Sequence, residues 1–69
     1  MRLHYYAETD SLYIDLSSKP SKESNEIADG IVIDFDEDGK VVGIDIDRAS
    51  RILDLKKLEI EGLPLAATS

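Results

Sequence analysis

The segment from residue 31 to residue 46 constrains the fold of this chain more than any other. It reads Ile-Val-Ile-Asp-Phe-Asp-Glu-Asp-Gly-Lys-Val-Val-Gly-Ile-Asp-Ile, so apolar residues alternate on both sides of an acidic stretch that ends in Gly39. Alternation with a period of two is typical of strands that bury one face, and Asp-Gly is a strong turn signal. The segment therefore predicts a β-hairpin.

The same acidic stretch also has the ligand spacing of a calcium-binding loop. Asp34, Asp36 and Asp38 alternate, Gly39 follows, and Asp45 stands at the twelfth position in place of the usual Glu. Helices flank an EF-hand loop, however, whereas strand-like residues flank this one. The pattern therefore leaves two interpretations that need different backbones.

A hairpin with residues 36–39 as its loop fixes which residues face each other. Gly39 takes the left-handed conformation that a tight turn requires. The predicted pairs are Phe35 with Lys40, Ile33 with Val42, and Ile31 with Ile44. In this register Asp34 and Asp45 lie roughly 13 Å apart along the strands, too far to share one ion. We therefore expect the hairpin, and the alternative is calcium binding by Asp34, Asp36, Asp38 and Asp45.

Residues 2–7 and 12–16 alternate in the same way and predict another hairpin. Residues 8–11 have the composition of a type I turn. A four-residue loop there pairs Tyr5 with Ile14, Leu3 with Leu16, His4 with Asp15, and Tyr6 with Tyr13. Tyr5 would then face the core, and Tyr6 and Tyr13 would form an outer aromatic pair. The alternative is that Tyr5, Tyr6 and Tyr13 all contact a partner, because aromatic residues are enriched at protein interfaces, and Tyr6 and Tyr13 are the candidate partner contacts.

The remaining segments complete a small α+β domain. Residues 17–24 contain Pro20 and four serines and predict a long loop, and residues 24–28 predict a short edge strand before a turn or bulge at Asp29-Gly30. Beyond Asp47 the apolar spacing becomes helical, which predicts two to three turns of helix starting at Arg48 with Asp47 as N-cap. Residues 55–61 fit either a helix or a strand.

The predicted fold is an antiparallel sheet of four to five strands, built from two hairpins, with one short C-terminal helix packed on it. We expect one domain over residues 1–61 and a tail over residues 62–69. A chain of 69 residues builds only a modest core, and the absence of Cys removes disulfides and thiolate zinc sites as supplements. Self-association is the leading alternative supplement, so we expect a homodimer.

The net charge of −7 is confined to one part of the chain. Residues 26–47 contain eight acidic residues and one basic residue, Lys40, whereas the other residues are balanced. An acidic chain without a basic patch argues against nucleic-acid binding. A basic protein partner fits better, with Asp36, Glu37 and Asp38 of the turn as candidate contacts, although such a surface can also serve solubility alone.

Enzymatic activity is not expected. His4 is the only histidine, and Ser11 and Ser17 lack the sequence context of an activated nucleophile. A small hydrolase is a second alternative, and it would need a pocket that holds His4 and two carboxylates. We expect no cofactor. No stretch of about 18 apolar residues is present, which predicts no membrane span and a cytoplasmic location.

Several motifs together resemble a known family of small domains. They are Tyr5, Asp10, Leu12-Tyr13-Ile14, Gly30 to Gly39, Val42 to Ile46, and Ala49-Ser50. This set is similar to the bacterial DUF2283 family over roughly residues 2–54, with the departure that Tyr6 stands where the family usually has Asp. The resemblance implies the fold but no catalytic or binding residue. The function expected from the sequence is therefore a non-enzymatic interaction or self-association module with an acidic face.

Overall fold

The computed structural model describes residues 1–64 and shows a five-stranded antiparallel sheet followed by one turn of helix. The elements are β1 (Arg2–Tyr6), β2 (Ser11–Asp15), β3 (Glu23–Ala28), β4 (Ile31–Phe35), β5 (Val41–Ile46) and α1 (Ala49–Ile52). The strands lie in the order β1-β2-β5-β4-β3. The predicted α+β fold is thus confirmed, whereas residues 65–69 of the predicted tail lie outside the described residues.

The alternation in the sequence gives the sheet two chemically distinct faces. Residues that pair directly across antiparallel strands point to the same side. On the side that we call the apolar face, Leu3, Ile14, Ile44 and Ile33 form one row, and Tyr5, Leu12, Ile46 and Ile31 form another. On the opposite side, the polar face, the rows are Arg2, Asp15, Gly43, Asp34 and Ser24, and His4, Tyr13, Asp45, Val32 and Glu26.

The first hairpin forms, but in a register two residues away from the predicted one. Tyr5 pairs with Leu12, Leu3 with Ile14, His4 with Tyr13, and Tyr6 with Ser11. The predicted pairs of His4 with Asp15 and of Tyr6 with Tyr13 are therefore wrong. The loop is residues 7–10, and Asp10 adopts a left-handed φ of 54°. The Asp10 carboxylate contacts the helix. This contact joins distant parts of the chain, so the composition of the turn alone does not predict it.

The second hairpin is also shifted by two residues over most of its length. Ile33 pairs with Ile44 and Ile31 with Ile46, while a bulge beside Phe35 places Val41 opposite it. Near the turn, the Asp36 amide donates to the Lys40 carbonyl and the Gly39 amide to the Asp36 carbonyl. The predicted pairs of Phe35 with Lys40, Ile33 with Val42, and Ile31 with Ile44 are therefore wrong. The hydrogen bond between Asp36 and Lys40 closes the turn, and the bulge shifts the register by one more residue. Gly39 has the predicted left-handed conformation, with φ 79°.

The helix is shorter than predicted and is capped differently. It spans Ala49–Ile52, and Arg48 rather than Asp47 stands at the N-cap, with φ 51° and no side-chain cap. Two to three turns starting at Arg48 are therefore wrong. Asp10 performs the capping instead: its backbone carbonyl accepts from the Ala49 amide, and its carboxylate accepts from the Ser50 amide. This interaction ties the first turn of the sheet to the helix.

The buried core is small. Its cluster consists of Leu12, Ile46 and Ala49, with Ile14 and Ile44 packed alongside, and Val42 is buried separately at the turn end of β5. Beyond α1, residues 53–64 run without helix or strand, so the helix and strand interpretations of residues 55–61 are both replaced by irregular structure. We call residues 53–64 the strap.

Candidate functional site

The apolar face is the most unusual surface of the molecule, because its own chain covers only part of it. A helix of one turn protects the Leu12 end, but Leu3 is 45% exposed and Tyr5 is 44% exposed. Ile31 and Ile33 at the other side are only partly buried and lie outside the buried core. The expectation that Tyr5 belongs to the core is therefore wrong, because the short helix does not reach over it. A monomer of this size seldom leaves so many large apolar side chains in water.

A hollow of about 620 Å³ lies between the strap and the sheet. It is lined by Leu3, Tyr5, Leu12, Ile14, Leu53, Asp54, Leu55, Lys57 and Leu58. Leu58 at this hollow is 70% exposed and Leu55 is 39% exposed. The strap thus lies over β1 and β2 without filling the space beneath it, and it adds exposed apolar surface of its own.

The polar face is organised around Tyr13. Its ring crosses Gly43 of β5, and its hydroxyl donates a 2.8 Å hydrogen bond to Oδ2 of Asp34 in β4. Ser24 of β3 donates to Oδ1 of the same carboxylate at 2.6 Å. A Cβ at position 43 would collide with the Tyr13 hydroxyl, so glycine is required where the ring passes. This chain of contacts links four neighbouring strands.

The electrostatics of the polar face follow from these contacts. The hydrogen bond to Asp34, together with burial, raises the pKa of Tyr13 to about 12. Burial, followed by repulsion from Asp47 and Asp34, raises the pKa of the Asp45 carboxyl. Tyr13, predicted to be a partner contact, is half-buried and already occupied within the sheet. Tyr6 is exposed and lies with its ring centroid 4.2 Å from that of His4.

One of the three acidic side chains of the turn, that of Asp36, is buried. Asp36 is only 5% exposed, and its Oδ1 accepts 2.9 Å hydrogen bonds from the amides of Asp38 and Lys40. These amides, Lys40 first, lower the pKa of the Asp36 carboxyl. Asp36 thus shapes the hairpin, whereas Glu37 and Asp38 are exposed. The loop between β2 and β3 brings two lysines to the concavity beside the turn, which is lined by Lys19, Pro20, Ser21, Lys22, Asp36, Glu37 and Asp38.

The four predicted calcium ligands do not converge. Asp34 accepts hydrogen bonds on the polar face, Asp36 accepts the amides of its own turn, and Asp38 is exposed. Within residues 1–64 no three His, Cys, Asp or Glu side chains are grouped as a metal site would require. The predicted separation of 13 Å was nevertheless wrong, because Asp34 faces Gly43 and is therefore a diagonal neighbour of Asp45 on the same face. Calcium binding rests on the sequence pattern alone.

His4 and Asp15, which a hydrolase would need, are diagonal neighbours on the polar face. His4 faces Tyr13, while Asp15 lies 3.7 Å from a guanidinium nitrogen of Arg2. Neither the hollow under the strap nor the concavity beside the acidic turn is lined by His4. No helix within residues 1–64 has the length and apolarity that crossing a membrane requires.

A polar network that the sequence did not reveal joins Asp10 to Tyr5 and Ser50. Tyr5 donates its hydroxyl to Asp10 Oδ1 at 2.7 Å, and Ser50 donates to Oδ2 at 2.6 Å. The Ser50 and Tyr5 hydroxyls lower the pKa of the Asp10 carboxyl, and Asp10 in turn raises the pKa of Tyr5. The signal was present in part, since Asp10 and Ser50 both belong to the motifs that resemble the family.

Comparison with known proteins identifies the family of this chain. The model of a family described as "Protein of unknown function (DUF2283)" matches residues 2–50, from β1 to the first residues of α1. The chain belongs to the DUF2283 family. The matched part of this DUF2283 domain contains the whole sheet and the Asp10 and Ser50 pair, and it ends before the strap.

A curated relative extends the similarity beyond the family model. Over 60 aligned residues the chain is 37% identical to an uncharacterised protein of Methanocaldococcus jannaschii. The aligned region covers 87% of this chain and 51% of the relative. The DUF2283 chain thus spans about half the length of the curated relative it matches. No solved structure matches it.

Proposed function

We propose that this DUF2283 domain is a non-enzymatic self-association module that forms a homodimer through its apolar face. The observation that carries the proposal is that two apolar rows cross four strands while Leu3, Tyr5, Ile31 and Ile33 at their ends lie outside the buried core. Burying apolar surface yields about 25 cal/mol per Å². A second copy would supply the cover that the short helix and the strap do not.

The distribution of charge favours a second copy at this face. The rows of the apolar face contain no charged residue, whereas Asp15, Asp34, Asp45 and Glu26 all stand on the polar face. Two chains that each have a net charge of −7 repel each other, so they meet at least cost with their polar faces turned outward. A basic partner would instead be drawn to the polar face or the exposed acids of the turn. Its capture stays a prediction.

The geometry of a flat sheet also suits self-packing. Antiparallel sheets commonly pack face to face about 10 Å apart, with interdigitating side chains at the interface. Stable interfaces bury about 800 Å² on each partner and are apolar at their centre. The two rows, the exposed strap residues Leu55 and Leu58, and Ile52 of α1 provide an apolar surface of that kind.

Two matched variants in β1 test the proposal. Leu3 stands on the apolar face and His4 stands beside it on the polar face, and both are exposed. We expect Leu3→Lys to place a charge in the interface and weaken the dimer by at least tenfold, whereas His4→Lys should leave it intact. The dissociation constants of both variants and the parent chain are measured by sedimentation equilibrium.

The outcomes separate cleanly. A concentration-dependent dimer that Leu3→Lys disrupts and His4→Lys preserves supports the proposal. A parent chain that stays monomeric at hundreds of micromolar overturns it. Equal weakening by both variants would also overturn it, because the contact would then involve the strand edge or the polar face. Thermal melting of each variant shows that the fold is retained, since neither side chain belongs to the buried core.

A further inference from the structure

We infer that in this dimer each strap packs on β4 of the second copy, about a two-fold axis that runs along β5. The inference rests on the proposed function and specifies how the two apolar faces meet. It assigns Leu58 of one chain to the neighbourhood of Ile33 and Asn25 of the other.

The apolar face of one chain is stepped. Over β1 and β2 the strap stands above the sheet, with Leu55 and Leu58 exposed at the hollow. The sheet residues that line this hollow all belong to β1 and β2, and Ile31 and Ile33 of β4 are not among them. One half of the face is therefore raised and the other half is low, with β5 at the boundary because it is the central strand.

Two stepped surfaces fit only when the raised half of each meets the low half of the other. A two-fold axis in the interface and parallel to β5 exchanges the β1 side with the β3 side, and it therefore places each strap over β4 of the partner copy. An axis across the strands would instead place strap on strap and leave a void between the low halves. Interfaces are packed as densely as protein interiors, so the first arrangement is favoured.

The contact is also self-complementary, as a two-fold interface requires. Leu58 of one copy meets the β4 row of its partner, and the reverse contact forms at the same time. Asn25 extends this row onto β3, where it pairs with Ile33 and is exposed. The edge of the contact would thus be a polar side chain beside an apolar centre, which is the usual anatomy of an interface.

Disulfide trapping tests the arrangement, and the absence of native cysteine makes the readout clean. One chain carries Leu58→Cys, and a second chain, lengthened by a tag, carries Asn25→Cys. Both positions are exposed, so the substitutions leave the core untouched. A disulfide forms only when the two Cα atoms come within about 7 Å. The matched control is Ser24→Cys, which is adjacent to Asn25 on the polar face and nearly isosteric.

We expect the mixture of Leu58→Cys and Asn25→Cys to give a covalent heterodimer on mild oxidation, at least tenfold more than the mixture of Leu58→Cys and Ser24→Cys. If Leu58→Cys cross-links to itself instead, strap meets strap and the inference is wrong, although self-association stands. Equal cross-linking of Asn25→Cys and Ser24→Cys also overturns the inference. If no pair cross-links while the parent chain sediments as a dimer, the inference alone fails. If the parent chain sediments as a monomer, the proposed function fails as well.

Discussion

The carboxylate of Asp10 accepts a 2.6 Å hydrogen bond from the hydroxyl of Ser50, forty positions later in the chain. Asp10 lies in the turn between β1 and β2, and Ser50 lies in the first turn of α1. The helix has no side-chain cap from its own N-cap residue, Arg48. Asp10 therefore serves as a tertiary cap, and the helix and the first hairpin hold each other in place.

Removing this cap should destabilise the domain without changing its sheet. Asp10→Gly keeps the left-handed backbone available and deletes the carboxylate, so we expect the melting temperature to fall by about 5 °C. Ser50→Ala should lower it less, because the Ser50 amide still has its acceptor. The double variant should be clearly less destabilised than the sum of the two single variants. Strict additivity would show that the two residues act independently.

Gly43 should tolerate no side chain while the Tyr13 ring lies over it. We expect Gly43→Ala to cost about 2 kcal/mol or more in the free energy of unfolding, because the new methyl group and the ring cannot occupy the same space. In a Tyr13→Ala background the same substitution should cost far less. Urea denaturation measures both values. Gly39→Ala is the comparison, because its surroundings are open and only its φ of 79° is strained, at about 1 kcal/mol.

The stability of the domain should fall at alkaline pH through Tyr13. Its pKa is about 12 in the folded chain and about 10 in an unfolded one, so the folded state retains the proton more tightly. The resulting stabilisation is complete below pH 10 and is lost as the pH rises through 12. We expect Tyr13→Phe to flatten the decline of the urea midpoint over this range. Tyr6→Phe, at an exposed position, should leave the decline unchanged, and a flattening there would argue against this assignment.

Calcium should not bind the acidic turn with useful affinity. Three of the carboxylate oxygens that would ligate it already accept hydrogen bonds, from Tyr13 and Ser24 at Asp34 and from two amides at Asp36. We expect millimolar calcium to leave both the melting temperature and the amide resonances of residues 34–45 unchanged. Asp36→Asn serves as the control, because it should change stability equally with and without calcium. A calcium-dependent shift that Asp36→Asn abolishes would revive the calcium interpretation.

Both hairpins illustrate how far the sequence could predict the fold. The strands, the loop before β3 and the left-handed Gly39 follow from local composition and were predicted. The registers were each wrong by two residues, as in Ile33, which pairs with Ile44 instead of Val42. A slip of two residues keeps every side chain on its proper face, so alternation cannot detect it. A slip of one would have exposed the apolar rows and would have been recognised.

The candidate site divides in the same way. Exposed acids at Glu37 and Asp38 could be predicted, but the inward turn of Asp36 could not, because its carboxylate is held by amides of the folded turn. Likewise the tyrosines were recognised as notable residues. Their places were not, since Tyr5 was expected in the core and is exposed, while Tyr13 is tied to Asp34 in another strand.

The sequence by itself determined the element types, the apolar and polar faces and the family, because periodicity and motif composition are local properties of the chain. Only the tertiary structure decided the strand registers, the cap that Asp10 gives to Ser50, and the uncovered half of the apolar face. These depend on contacts between segments far apart in the chain, whose energies are summed over the whole fold. The exposed face on which the proposed dimer depends is therefore a consequence of how little of the sheet one turn of helix can cover.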